Sequence, residues 1–223
     1  MRVILSAATL LLISAAAAQA DNTTMPWIIH VDVSDAIATN QKETFQTSLG
    51  TKESSFKQVD NLPGGLVDIG YYINQNITIN GSTGLYAARG KTLTAQGYDP
   101  VTKTYLSTVN EVSGNMGFIP LVAMMQYHFD SILPGYTPYV GLGAQYTIIN
   151  STYHGVSYDT NLGAVADLGL DAWVDTNWAL NADVRYYEME VKGDYSTFTQ
   201  FPGYKSTNNF NPIVLSLGMA YHF

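Results

Sequence analysis

From Ile213 to Phe223 the chain alternates with a period of two. Ile213, Leu215, Leu217, Met219, Tyr221 and Phe223 are apolar or aromatic, whereas Val214, Ser216, Gly218, Ala220 and His222 are small or polar apart from the valine. Side chains on a strand point alternately to opposite faces, so this period predicts a strand with one greasy face. Eight such strands can be drawn: Trp27–Ala36, Gly65–Ile73, Ile77–Arg89, Phe118–Phe129, Pro138–Ile149, Leu162–Val174, Asn177–Met189 and Ile213–Phe223. In the fourth, Ile119, Leu121, Ala123, Met125, Tyr127 and Phe129 share one face. Val122, Met124, Gln126 and His128 share the other. In the seventh, Trp178, Leu180, Ala182, Val184 and Tyr186 oppose Asn181, Asp183, Arg185 and Tyr187, and in the sixth Leu162, Leu168 and Leu170 oppose Gly163, Asp167, Gly169 and Asp171. Gly81 and Gly84 in the third mark the place where a bulge would flip the register.

Most of these segments approach the roughly 9–11 residues that a tilted strand needs to cross a bilayer, beyond the length usual in soluble sheets. Their connections alternate. Asn74-Gln75-Asn76 and Asp175-Thr176-Asn177 are tight turns of residues that bond their own backbone, and Asp130–Thr137 is also short. The segments 37–64, 90–117, 150–161 and 190–212 are long and polar. The pattern predicts an all-β fold: an eight-stranded antiparallel transmembrane β-barrel with short periplasmic turns and long extracellular loops. A lipid-facing arginine at mid-depth costs about 2–4 kcal/mol, and the parity above turns Arg185 and the aspartates inward instead. Glu188 and Glu190 share the greasy parity but fall where the strand leaves the membrane. Trp27, Tyr71, Tyr127, Phe129, Trp178, Tyr221 and Phe223 gather at the predicted periplasmic ends as an aromatic girdle, since amphipathic rings favour the lipid–water boundary. Trp173 and Tyr139 break that pattern, because their parity points them into the lumen.

The start of the chain changes the setting. Arg2, the apolar run Val3–Ala18 and Ala18-Gln19-Ala20 read as a signal peptide over residues 1–20, cleaved on export. Residues 21–223 would then form one outer-membrane barrel. There is no cysteine, so disulfides and thiolate metal sites are excluded. The formal net charge of −8 argues against nucleic acid as a partner. Low charge content with 19 glycines and 16 tyrosines suits a sheet with one face in lipid and crowded small positions inside.

The inward positions supply the candidate lining: His30, Asp32, Asp68, Met124, Gln126, His128, Asp167, Asp171, Asn181, Asp183 and Arg185. Acids outnumber the strong base among them, which would make an open lumen weakly cation-selective. The other reading is a packed polar network, because eight strands leave an interior just wide enough for side chains. A hydrophobic route would need an apolar mouth on the outer side, for which Met116, Phe118 and Ile119, together with the tyrosines of the predicted outer loops, are candidates; the alternative for these is an outer aromatic girdle.

Four stretches carry a resemblance to a known family. Residues 120–129 read PLVAMMQYHF, similar to PPTLxxQYHF; 138–147 read PYVGLGAQYT, similar to PYVGAGxNYT; 177–189 read NWALNADVRYYEM, close to WxxNxDVRYIDI; and Asn211-Pro212 leads on to GMAYHF, similar to DP…GxGYxF. Leu121, Gln145 and Asn211 depart from those patterns. The chain thus resembles the outer membrane protein W (OmpW) family. That resemblance implies a monomeric eight-stranded barrel with a narrow, largely apolar channel that admits small hydrophobic molecules and releases them sideways. It implies contact with outer-membrane lipid and lipopolysaccharide. As in outer-membrane barrels generally, it also implies that the barrel assembly machinery reads Phe223 as an assembly signal. Family members are linked to phage or bacteriocin reception, so a closed structural or receptor barrel whose loops bind a partner is the alternative. A lipid-modifying enzyme is a third class and would want a histidine with Ser or Asp at the outer rim. Only His154, near Ser151, Ser157 and Asp159, sits in a predicted outer loop, and a lone loop histidine does not make a catalytic site. No enzyme activity, cofactor or metal is expected.

Overall fold

A computed structural model describes residues 26–39, 42–47, 50–55, 61–99, 104–129, 134–152, 157–160, 162–194 and 205–223. The expected signal peptide and His154 lie outside the described residues. In chain order the strands are β1 (Trp27–Ala38), β2 (Lys42–Thr47), β3 (Gly50–Ser55), β4 (Asn61–Tyr72), β5 (Ile77–Asp99), β6 (Thr104–His128), β7 (Tyr136–Ser151), β8 (Ser157–Thr160), β9 (Leu162–Trp173), β10 (Trp178–Tyr187), β11 (Glu190–Asp194), β12 (Lys205–Asn209) and β13 (Pro212–His222). Eight of them close an antiparallel up-and-down barrel in the order β1-β13-β10-β9-β7-β6-β5-β4. Closure joins the first and last strands of the barrel. β1 pairs with β13 from Ile28 opposite His222 to Ala38 opposite Pro212, and the Phe223 N–H donates to the Trp27 carbonyl at 2.9 Å. A closed sheet leaves no row of unpaired backbone groups for hydrocarbon to meet.

The alternation read from the sequence is the alternation of burial. Along β10 every even residue is exposed and every odd one buried. Outward-facing Val33, Leu142, Leu162 and Leu217 are between 65% and 73% exposed. Such a belt of aliphatic surface all round a soluble protein would drive association, whereas lipid covers it.

Both fully described short turns are built alike. Asn74 Oδ1 accepts from the N–H groups of Asn76 and Ile77, and Asp175 Oδ1 from those of Asn177 and Trp178. The third turn residue then ties the turn to the neighbouring strand: the Asn76 amide donates to the His128 carbonyl at 2.9 Å, and the Asn177 amide to the His222 carbonyl at 2.6 Å. The N–H groups of Asn177 and Trp178 hold the exposed Asp175 carboxyl below the usual carboxylate range.

The long polar segments differ from expectation. They are not simply loops. β5 and β6 run on as a two-stranded ribbon far past the residues that other strands pair, and β3-β2-β12-β11-β8 form a second sheet from segments expected to be loop. Beyond the bilayer neither face needs to be apolar, so the alternation lapses while backbone pairing continues. The bulge expected at Gly81 and Gly84 is also displaced. β4 and β5 keep one register from Gly64 opposite Tyr86 to Tyr72 opposite Thr78, and the slips against β6 fall between Ala88 and Lys91 and between Gln96 and Tyr98. Gly84 instead makes room, because a Cβ there would lie 2.8 Å from the Gly65 carbonyl oxygen and 3.1 Å from the Tyr86 ring.

Gly218 shows how tightly the interior is filled. A Cβ on it would overlap the Val31 carbonyl oxygen and the Asp32 carboxylate. Backbone of a paired strand cannot yield cheaply. Gly218→Ala is therefore expected to cost about 1–3 kcal/mol of stability, read as a lower urea midpoint of the lipid-embedded barrel. An unchanged midpoint would show that the wall gives.

Candidate functional site in the barrel interior

All eleven residues proposed from the sequence as lining point inward and are buried: His30, Asp32, Asp68, Met124, Gln126, His128, Asp167, Asp171, Asn181, Asp183 and Arg185. The wall brings them together because successive strands place their inward residues at matching heights, as with Asp183 opposite Gly169 and Ser216, and Arg185 opposite Asp167 and Val214. What periodicity could not reveal is that the interior is layered.

The middle layer centres on Arg185, only 2% exposed. Its Nη2 lies 3.2 Å from Asp68, 3.4 Å from Asp183 and 3.5 Å from Asp167, and Nη1 donates to Ser82 at 3.0 Å. Gln126 donates to Asp167 and accepts from Asn80. Asn181 donates to Asp171 at 2.8 Å and to the Tyr139 hydroxyl at 2.9 Å, and His30 Nε2 lies 3.4 Å from Asp171. Tyr139 fits here because Gly169 opposite has no side chain; a Cβ there would overlap the phenol. Buried charges need partners, and the single guanidinium is shared among three carboxylates. One oxygen each of Asp32, Asp68, Asp167 and Asp183 is buried with no hydrogen-bond partner among the described residues.

Towards the short-turn end the interior closes with rings. Ile28, Ala179 and Ala220 are fully buried, with Tyr72 and Trp173 packed against them. The Tyr72 ring lies 5.1 Å from His128 and 5.4 Å from His222, and the Trp173 indole donates to Thr137 at 2.9 Å. The inward parity of Tyr139 and Trp173, discordant in a girdle, is thus the parity of two plugs. On the outside of the same end the seven proposed girdle residues meet in groups: Trp27 with Tyr71 at 4.9 Å, Tyr127 with Phe129 at 4.9 Å, and Trp178 with Tyr221 at 4.6 Å, Tyr221 in turn touching Phe223.

Towards the long-loop end the interior is apolar. Leu62, Tyr86, Phe118, Met189, Phe210 and Val214 belong to one buried cluster around a cavity of about 20 Å³, room for about one water. Phe118 and Phe210 stack over one another, with centroids 5.2 Å apart and planes 7° from parallel. Of the residues proposed for an apolar mouth, Phe118 lines this cavity, Ile119 has the opposite, outward parity, and the side chain of Met116 lies outside the described residues. Sequence reasoning missed Met189 and Phe210. Met189 closes the predicted strand Asn177–Met189 with the inward parity of Tyr187, so its face was legible though its role was not, whereas Phe210 falls in the segment 190–212 expected to be loop. Beside the cavity, on the outer surface of the wall, exposed Ala144, Leu162, Ala164 and Glu188 border a cleft together with Gly143 and Gly163.

Comparison with known proteins fits this geometry. The model of the OmpW family matches residues 26–223. An uncharacterized outer-membrane protein of Sinorhizobium fredii is 27% identical over 164 residues, covering 70% of this chain and 64% of its own. Outer membrane protein W of Vibrio cholerae is 29% identical over 121 residues, 49% of this chain and 54% of its own. The chain therefore spans about half to two thirds of the length of these relatives. The crystal structure of the outer membrane protein OprG from Pseudomonas aeruginosa superposes with a TM-score of 0.65 at 15% identity, covering 88% of this chain and 95% of that one. It shares the fold.

Proposed function

The chain belongs to the OmpW family of outer-membrane proteins, and on that premise we propose that its barrel is a narrow uptake route for small hydrophobic molecules. One observation carries this reading: the interior is divided, with an apolar cavity at the long-loop end resting on a floor of buried ions. An apolar solute gains by leaving water for the upper layer but cannot displace the arginine–carboxylate contacts below without stranding buried charge. Its way out is sideways, through the wall by the cleft of Gly143, Ala144, Gly163 and Ala164, into the bilayer. The same packing favours a polar plug over an ion path for the eleven interior residues. The protein is read as a monomer without enzymatic activity, lodged among lipid and lipopolysaccharide, with Phe223 as the signal for the assembly machinery and the outward ring clusters as its periplasmic girdle.

A strain lacking this protein is expected to take up a small hydrophobic tracer several-fold more slowly than its parent, with wild-type protein restoring the rate and uptake of a small hydrophilic tracer unchanged. Equal hydrophobic uptake in the two strains would remove the transport role. The second reading, a closed barrel whose outer strands bind a partner, draws on the outer sheet of β2, β3, β8, β11 and β12, and it would then stand alone.

A further inference from the structure

Taking the uptake reading as given, we infer that the outer cavity selects an uncharged amphiphile, one with a single hydrogen-bond-accepting head such as a ketone or ester on a short apolar tail. The walls are apolar: Leu62, Phe118, Pro120, Met189, Phe210 and Val214. Two phenols interrupt them, Tyr86 and Tyr187, both almost fully buried. Ser34 donates to the Tyr86 oxygen at 3.2 Å, which leaves the phenol's own hydrogen to donate elsewhere. The buried Tyr187 hydroxyl faces the Arg185 guanidinium, which can only donate, so this phenol's hydrogen too has no acceptor among the described residues. Arg185 pairs across the wall with Val214, which lines the cavity. Two phenol hydrogens thus remain to be met on the lining of an apolar space. The remaining hydroxyl on the lining, that of Thr147, already donates to Gln145 at 2.7 Å.

Buried donors left unmet are costly, and a ligand that brings an acceptor relieves them. A plain hydrocarbon cannot. A carboxylate head has the acceptor but must approach Asp68, Asp167 and Asp183, which crowd the one guanidinium, and must shed its hydration as well. A neutral oxygen avoids both penalties. The cavity in its present size is too small for such a molecule, so Met189 and Phe210 must swing aside. Both sit in breaks of the ladder, where the Phe210 N–H donates to the Met189 carbonyl at 2.8 Å and Asn211 has the left-handed φ of 38°. Such breaks move more readily than the paired wall.

Equilibrium dialysis of labelled octane, 2-octanone and octanoate against the full-length mature barrel in lipid nanodiscs, with protein-free nanodiscs as reference, tests this. After correction for partition into lipid, 2-octanone is expected to be retained roughly fivefold to tenfold better than either of the others, the net worth of about one neutral hydrogen bond. Tyr187→Phe and Tyr86→Phe, each first checked for the mobility shift on boiling that marks a folded barrel, are expected to bring the ketone-to-octane ratio towards one. Equal retention of the three compounds, tightest retention of octanoate, or a ketone preference intact in both variants would overturn the head-group selection and leave the uptake reading standing. Retention of none would overturn this selection too, and the tracer experiment in the deletion strain would then decide separately whether uptake survives.

Discussion

Arg185→Ala is expected to cost about 3–5 kcal/mol of barrel stability, because removing one partner of a buried ion cluster strands the others. The guanidinium is within 3.5 Å of Asp68, Asp167 and Asp183, and all three carboxylates are buried. Among the residues whose side chains are described, no other arginine or lysine is buried. Urea unfolding of the lipid-embedded protein, followed by the loss of its heat-modifiable migration, measures the effect. The same substitution empties the centre of the polar layer, so planar bilayers holding the variant should pass ions more readily than those holding wild type. A stability change below about 1 kcal/mol, the range of an exposed ion pair, would show that water already reaches this layer and that the plug is not closed.

Ala182→Arg probes the other face of the same strand. Ala182 lies opposite Leu217 on β13 and Leu170 on β9, in the middle of the outward belt. An arginine at the bilayer midplane of a barrel costs about 2–4 kcal/mol, falling towards zero at the interfaces. The variant should unfold at correspondingly lower urea in bilayers. Trp178→Arg, at the short-turn end of β10, should cost less from charge burial and lose instead its ring contact with Tyr221. If both substitutions cost the same, Ala182 is not at mid-depth, and the assignment of the membrane band along the strands would have to move.

The barrel was legible because lipid on one side and a crowded interior on the other impose opposite demands on neighbouring residues. β13 declares itself through Leu215, Leu217 and Met219 against Val214, Ser216 and Ala220, and β10 through Leu180 and Val184 against Asp183 and Arg185. The two D/N-x-N turns were legible for a local reason: an Asx side chain caps its own turn wherever it stands. Past Tyr86 on β5 and before Phe118 on β6 neither demand operates, and the ribbon there went unread. The polar lining was likewise readable as a set of residues but not as an arrangement. Nothing in the order of Asp68, Asp167, Asp183 and Arg185 along the chain says that the four share one contact, since they come from β4, β9 and β10.

By itself, then, the amino-acid order determined which residues face lipid and which face inward, where the short turns fall, and that a cylinder of eight strands results, since each of these follows from side chains one or two positions apart. Only the tertiary structure decided the layering of the interior: rings at the short-turn end, ions in the middle, an apolar cavity lidded by Phe210 and Met189 at the other. The physical reason is strand tilt and stagger. They bring together residues as far apart in sequence as Ser34 and Tyr86 or Ser82 and Arg185, and inside a closed barrel each of them must fill space and find a partner within that one narrow lumen.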